Sequence, residues 1–233
     1  MRVLEKEPYE TARQYALRVL RHNIINLDLK PGQLISESEI GEHLGLSRTP
    51  VREAFKDLAN ASIVEIQPQK GTFVSLIDME MVEESRFLRN VLEKVVVELV
   101  CDNVSAECLN ALEENVMLQE MIVERGDCNR FLSLDNGFHE LLFKVCGKGK
   151  IFDFIRGMMT HFDRVRMLNM KEMDMRGPLN DHKNILEAIR NKDKQRALAE
   201  IDSHLSRVTS DKIYLYGLHP EYFENVRRDD ICF

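Results

Sequence analysis

The chain has 233 residues, 44% of them hydrophobic and 30% charged, enough for one large or two modest domains with cores of their own, and two are expected. It has no run of about 18 apolar residues, and its N-terminal MRVLEKEPYE lacks the apolar centre of a signal peptide; both argue against a membrane span or secretion and for a cytoplasmic protein. A net charge of −7 would repel a polyanion, but residues 1–76 hold ten basic and ten acidic side chains, so the acidic excess lies wholly beyond them.

In chain order, residues 8–27 place Ala12, Tyr15, Ala16, Val19, Leu20, Ile24 and Leu27 at three-to-four spacing, which predicts an amphipathic helix closed by Leu29-Lys30-Pro31-Gly32. SESEIGEHLGLSRTPVREAF, from Ser36 to Phe55, predicts two short helices around a tight corner. Ser36 with Glu39 three residues on suggests a capping box, and Gly45 stands where the chain must leave the first helix. The second helix starts at Ser47 or Thr49 and turns Val51, Ala54, Phe55 and Leu58 inward, leaving Arg48, Thr49 and Arg52 on its other face. Arginines can fork onto guanine in a major groove, while hydroxyls such as those of Ser36, Ser47 and Thr49, and helix-start amides, take phosphates. The competing reading is an ordinary helix pair with solvated arginines.

After Leu58 the period changes. Ile63, Val64 and Ile66, then Thr72 to Ser75, flank Gln67-Pro68-Gln69-Lys70-Gly71, a hairpin that must lean on the helices to persist. The first domain therefore ends near residue 76. From residue 77 to 216 only helical periodicity remains, in segments near 79–102, 105–125, 128–146, 149–171, 176–191 and 194–214. The expected fold is mainly α: a winged helix-turn-helix followed by an antiparallel bundle of about six helices, then a tail, 217–233, with no assigned partner. The five cysteines, Cys101, Cys108, Cys128, Cys146 and Cys232, are odd in number and show no C-x-x-C, so they are expected to be reduced thiols, mostly in the core. His22 and His43 lack partners at ligand spacing and are expected to be packing or surface residues.

Within the bundle, Asp135 and His139 are i and i+4 in FLSLDNGFHELLF and leave one helix face together. His182, in DHKNILEAI, and His204, in ALAEIDSHL, lie on neighbouring antiparallel helices. Three imidazoles and a carboxylate suit zinc first, and also nickel, iron or manganese. A lone histidine on a half-apolar helix is more often packing than ligand, so the i, i+4 pair carries the spacing argument.

SESEIGEHLGLSRTPVREAFKDL followed by QPQKGTFV resembles the winged helix-turn-helix of GntR-type bacterial transcription regulators over about residues 10–76. That resemblance implies that Arg48 and Arg52 contact bases or phosphates and that the wing around Lys70 and Gly71 enters the minor groove. Asn60, Ala61 and Ser62 depart from the acidic residue and glycine often found before the wing. Residues 79–214 resemble the FCD ligand-binding domain of the FadR-like branch. There Asp135, His139, His182 and His204 match the metal-binding residues, D-x-x-F-H and H-x-x-I-L-E-A-I…D…A…H-L stand in place, and His161 and His219 match nothing. The resemblance implies a small organic acid held through the metal, with Arg89 and Arg166 the candidates to pair its carboxylate. The expected function is a dimeric, effector-responsive regulator on palindromic double-stranded operator DNA. The alternative is a metal-dependent hydrolase or other metalloenzyme built on the same four residues, against which stand the lack of HExxH and of a paired glutamate base.

Overall fold

In the computed structural model, residues 1–210 and 212–225 of the chain are described here. They fall into two compact units, Met1–Met79 with the chain from Ile213 onward, and Glu80–Lys212.

The first unit opens with α1 (Ala12–Ile25). It starts later than the apolar spacing predicts because Thr11 and Gln14 close a capping box, each side chain bonding the other residue's backbone N–H. Tyr15, Ala16, Val19, Leu20 and Ile24 are buried, as the periodicity requires. The corner pair follows as α2 (Glu37–Leu44) and α3 (Arg48–Asn60), with Gly45 between them in the left-handed conformation at φ 64°. The capping box expected at Ser36 does not form. Ser36 Oγ instead lies 2.8 Å from Ser38 Oγ, and the first-turn carboxylates Glu37 and Glu39 complement the helix start. One core unites the three helices through Val19, Leu20, Ile40, Val51, Phe55 and Leu58.

The corner depends on a second glycine that the spacing did not single out. A Cβ on Gly41 would sit 2.8 Å from the Leu46 carbonyl oxygen, whereas one on Gly45 meets nothing within 4 Å. Leu46 N donates to Gly41 O at 2.8 Å, so the two backbones touch where the chain turns. Gly45→Ala is expected to cost about 1 kcal/mol, the strain of an L-residue in the left-handed region. Gly41→Ala must also push the turn apart, and should cost about 1–3 kcal/mol. Urea unfolding of both variants checks the order.

The hairpin is β2 (Val64–Gln67) with β3 (Gly71–Val74), joined by an unforeseen third strand, β1 (Leu34–Ile35), in the order β1-β3-β2, all antiparallel. Two residues are too short to show a period, which is why β1 escapes sequence reading. Val64 faces Val74 across the ladder and both enter the helical core, which ties the wing to α1–α3. The described part of the tail also belongs to this unit. Ile77 pairs in parallel with Phe223, Ile77 N donating to Tyr222 O at 2.7 Å and Glu224 N to Ile77 O at 3.0 Å, and the Phe223 ring is buried against Tyr216. Arg227 to Asp230 and Cys232 lie outside the described residues.

The second unit is helical throughout: α4 (Met79–Asn103), α5 (Ala106–Arg125), α6 (Cys128–Val145), α7 (Gly149–Arg156), α8 (Thr160–Glu172), α9 (Arg176–Arg190) and α10 (Lys194–Ser210), after which α11 (Lys212–Leu218) leads into the tail. The single helix expected over 149–171 is two. Gly157 tightens onto Phe154 O at 3.2 Å and the helix stops there. Beyond the break α8 runs through the middle of the bundle with every residue from Thr160 to Leu168 buried, so it has no solvent face and shows no amphipathic period. Cys101 and Cys108 are buried, Cys128 and Cys146 half-buried, and all four are free thiols. Among the described residues no helix is long and apolar enough to cross a membrane.

Candidate functional site

Asp135 and His139 project from one face of α6, His182 from α9 and His204 from α10. All four are buried, and one ligand atom from each lies within 4.8 Å of the other three. The Nε2 atoms of His139 and His204 are 3.1 Å apart, those of His182 and His204 3.3 Å, and Asp135 reaches the Nε2 atoms of His139 and His182 at 3.6 and 3.7 Å. Each ring turns its other nitrogen outward. His139 Nδ1 stands 2.6 Å from Glu93 Oε2, a carboxylate oxygen that can only accept and so favours the proton on Nδ1. His182 Nδ1 is 2.8 Å from Gln119 Oε1, and His204 Nδ1 is 3.3 Å from Asp181 Oδ2.

Those outer partners fix the tautomers, most clearly at His182. The backbone oxygen of Leu134 can only accept, so Asn115 presents Nδ2 to it; Asn115 Oδ1 then accepts from Gln119 Nε2, and Gln119 Oε1 must accept from His182 Nδ1–H. Three Nε2 lone pairs are thereby aimed at one another. Asp135 Oδ1, buried and without a hydrogen-bond partner, faces the same point. Lone pairs gathered in this way repel unless a cation sits among them, and outward N–H groups held by carboxylate or amide are the usual support of metal-ligating histidines. The donor set therefore fits a divalent transition metal.

Burial sets the charge states. It pushes His204 down to about 4 against the opposing pull of Asp181, pushes His139 down despite Glu93, and holds His182 well below the ordinary value, with His204 and His139 adding to the effect. Burial alone would raise Glu93, but Arg89 and His139 beside it keep its carboxyl below the usual range. The histidines are thus neutral and ready to ligate at pH 7. The sign for stability follows: as pH falls below the unfolded value of 6.5 toward 4, the unfolded chain takes up protons that the folded His204 refuses. Metal-free protein should therefore lose about 1.4 kcal/mol per pH unit from His204 alone in that window, read as a falling urea midpoint between pH 7 and 5.

The remaining predicted residues separate by role. Arg166, buried on α8, gives Nη2 to Asp135 Oδ2 and Nη1 to Asp163 and Asn136 at 2.9 and 2.8 Å, so it orients a ligand residue. Arg89, on α4, gives Nε to Glu93 at 2.6 Å and keeps a buried Nη2 with no partner. Both line a cavity of about 190 Å³ that also touches Asp135 and His204. Arg207 lines it too and forks onto Asp181 with two bonds of 2.8 Å. Glu93, Gln119 and Asp181 went unmarked in the sequence; only Glu93, four residues after Arg89, and Asp181, beside His182, carried any local signal.

In the first unit, Ser47, Arg48, Thr49 and Arg52 stand exposed at the start of α3, Ser36 is half-buried at the start of α2, and Lys70 and Gly71 are exposed at the wing tip. Ser47 makes no side-chain cap bond, and among the described residues Arg48 and Lys70 have no ion pair. Arg52 points outward but is engaged, with Nε and Nη2 on the Glu37 carboxylate at 2.9–3.1 Å.

A three-helix core with a short wing, followed in the chain by an all-helical unit enclosing a His₃Asp cluster, is the architecture of a DNA-binding regulator. Residues 13–74 match the family described as bacterial regulatory proteins, gntR family, and residues 84–207 match the FCD domain. The chain belongs to the GntR family of transcriptional regulators and carries an FCD domain. It is 29% identical to the HTH-type transcriptional repressor RspR of Escherichia coli (strain K12) over 87% of this chain and 89% of that one. It is 30% identical to an HTH-type transcriptional regulator in an unstable DNA locus of Streptomyces ambofaciens, over 88% and 86%. The solved structure of E. coli McbR/YncC superposes with a TM-score of 0.76 at 20% identity, covering 88% of this chain and 99% of that one. These relatives are named as regulators, which is the class preferred above over a metalloenzyme.

Proposed function

We propose that the chain is a cytoplasmic homodimer that binds palindromic operator DNA and changes its affinity when a small carboxylate occupies the cavity beside a bound divalent metal. Residues 1–76 read the DNA and 77–216 sense the ligand. The observation that carries the reading is the convergence of three Nε2 atoms and one unpartnered carboxylate oxygen on a single buried point. Asp135, His139, His182 and His204 hold the ion, zinc first, with nickel, iron and manganese compatible with the same donors. A bound metal supplies Lewis acidity and an open position for an anionic oxygen. Arg166 holds Asp135 in place, Glu93, Gln119 and Asp181 keep the imidazoles facing inward, and Arg89 offers its spare N–H to the carboxylate.

On the DNA side, Arg48 and Arg52 read the major groove, Ser36, Ser47 and Thr49 hold phosphates, and Lys70 with Gly71 approaches the minor groove. A first unit without net positive charge gains little from counterion release, so two half-sites are needed for useful affinity. The test is metal analysis of the purified protein together with operator titration by fluorescence anisotropy, with and without chelator. About one metal per chain and a chelator-sensitive response to an added acid are expected. Less than about 0.2 equivalents after supplementation would refute the metal-dependent sensor.

A further inference from the structure

The cavity beside the cluster constrains its occupant by size, wall chemistry and charge. Resting on the sensing role proposed above, we infer that its ligand is a compact monocarboxylic acid with an apolar body and at most one hydroxyl, and not a polyhydroxylated or multiply charged acid. A volume of about 190 Å³ is modest. An apolar protein cavity of ~150 Å³ accommodates benzene, so the space here suits a benzene-sized body plus a carboxylate, roughly eight to ten non-hydrogen atoms.

The surface that lines the cavity is mainly apolar, supplied by Phe162, Met170, Met173, Leu205 and Val208. Most of its polar groups are already committed. Arg166 is held by Asp135, Asp163 and Asn136, Arg207 by Asp181, and His204 by Asp181 and the cluster. Apart from Asp135 Oδ1, which faces the metal point, two buried wall atoms lack partners: a donor, Arg89 Nη2, and an acceptor, Asn169 Oδ1. The Asn169 amide cannot turn over, because its Nδ2 donates to Val208 O at 3.2 Å. One carboxylate oxygen and one hydroxyl would satisfy these two. Further hydroxyls would face Phe, Met, Leu and Val side chains and lose their water without replacement.

Charge points the same way. On the cavity wall Arg166 is already engaged by Asp135 and Asp163, and Arg207 by Asp181, whereas Arg89 keeps Nη2 for an incoming anion, so one carboxylate is matched and a second or third must compete with ion pairs already made.

Isothermal titration of the full-length, zinc-loaded protein with benzoate, hexanoate, gluconate and citrate tests this. Benzoate or hexanoate should bind one per chain at least about tenfold more tightly than gluconate or citrate. Met173→Asn, at a wall position whose residue is half exposed and so tolerates a polar group, should weaken benzoate and hexanoate by about fivefold or more while leaving zinc content unchanged. Gluconate or citrate binding as tightly as the apolar acids overturns the inference, as does benzoate affinity indifferent to Met173→Asn. If none of the four acids binds zinc-loaded protein, it is the sensing role itself that fails.

Discussion

Replacing His182 by alanine is expected to lower bound metal from about one equivalent per chain to below about 0.2, a loss of at least about 100-fold in affinity, since even supporting residues behind a ligand contribute 10–100-fold. The side chain is fully buried, its Nε2 is 3.3 Å from that of His204, and its ring stacks on Phe138 with centroids 4.3 Å apart. Truncation therefore removes one donor and opens a cavity, and it leaves Gln119 Oε1 buried without its donor, so the metal-free variant should also lose about 2–4 kcal/mol of stability. Those two effects must be separated. Asp135→Asn supplies the comparison: it keeps the volume but takes the charge from Arg166, whose burial then destabilises by about 3–5 kcal/mol, with metal lost as well. His43→Ala, at an exposed position, should leave metal and stability alone. Metal analysis and urea unfolding of the three variants are the measurements. Full metal content in a folded His182→Ala protein removes that residue from the centre.

What could be read from the sequence, and what could not, follows from the range of each interaction. Three-to-four periodicity marks helices whose one face is buried, so α1, α3, α5, α6, α9 and α10 were visible within a few residues. It misses the break between α7 and α8, because burial on every side of α8 erases the period that would mark its start, and it misses β1, whose two residues owe their conformation to pairing with Phe73 and Thr72. Ile77 meeting Phe223 is a contact across most of the chain and leaves no local trace. At the candidate site, Asp135 and His139 were legible as a pair because helical spacing alone brings them together. His182 and His204 needed the family likeness, which supplied the tertiary proximity that spacing cannot. The polarised run from Leu134 O through Asn115 and Gln119 to His182 was invisible, since amide residues at i and i+4 on α5 resemble any solvated pair until α6 and α9 are placed against them.

Arg52→Ala is expected to weaken specific operator binding by about 1–3 kcal/mol per half-site, and hence by about 30-fold or more in a complex that uses both. In the free protein the guanidinium is more than half exposed and forked onto Glu37, an arrangement worth about 0–1 kcal/mol to folding, so the unfolding midpoint should barely move. The asymmetry between those two magnitudes is what makes the variant informative. Glu37 also tells base readout from simple charge. If Arg52 acts only as a positive charge, Glu37→Gln, which removes a neighbouring negative charge, should strengthen operator and random duplex alike, and Arg52→Ala should weaken both equally. If Glu37 instead steers the fork toward a base edge, Glu37→Gln should raise random-duplex affinity while narrowing the margin for the operator, and Arg52→Ala should cost the operator most. Thr49→Ala gives the phosphate-contact reference, with uniform weakening on operator and scrambled duplex. Anisotropy titrations on operator and scrambled duplexes at two salt concentrations resolve these cases. Unchanged operator affinity in a normally folded Arg52→Ala protein would remove Arg52 from the DNA interface and leave Arg48, Lys70 and the wing to account for recognition.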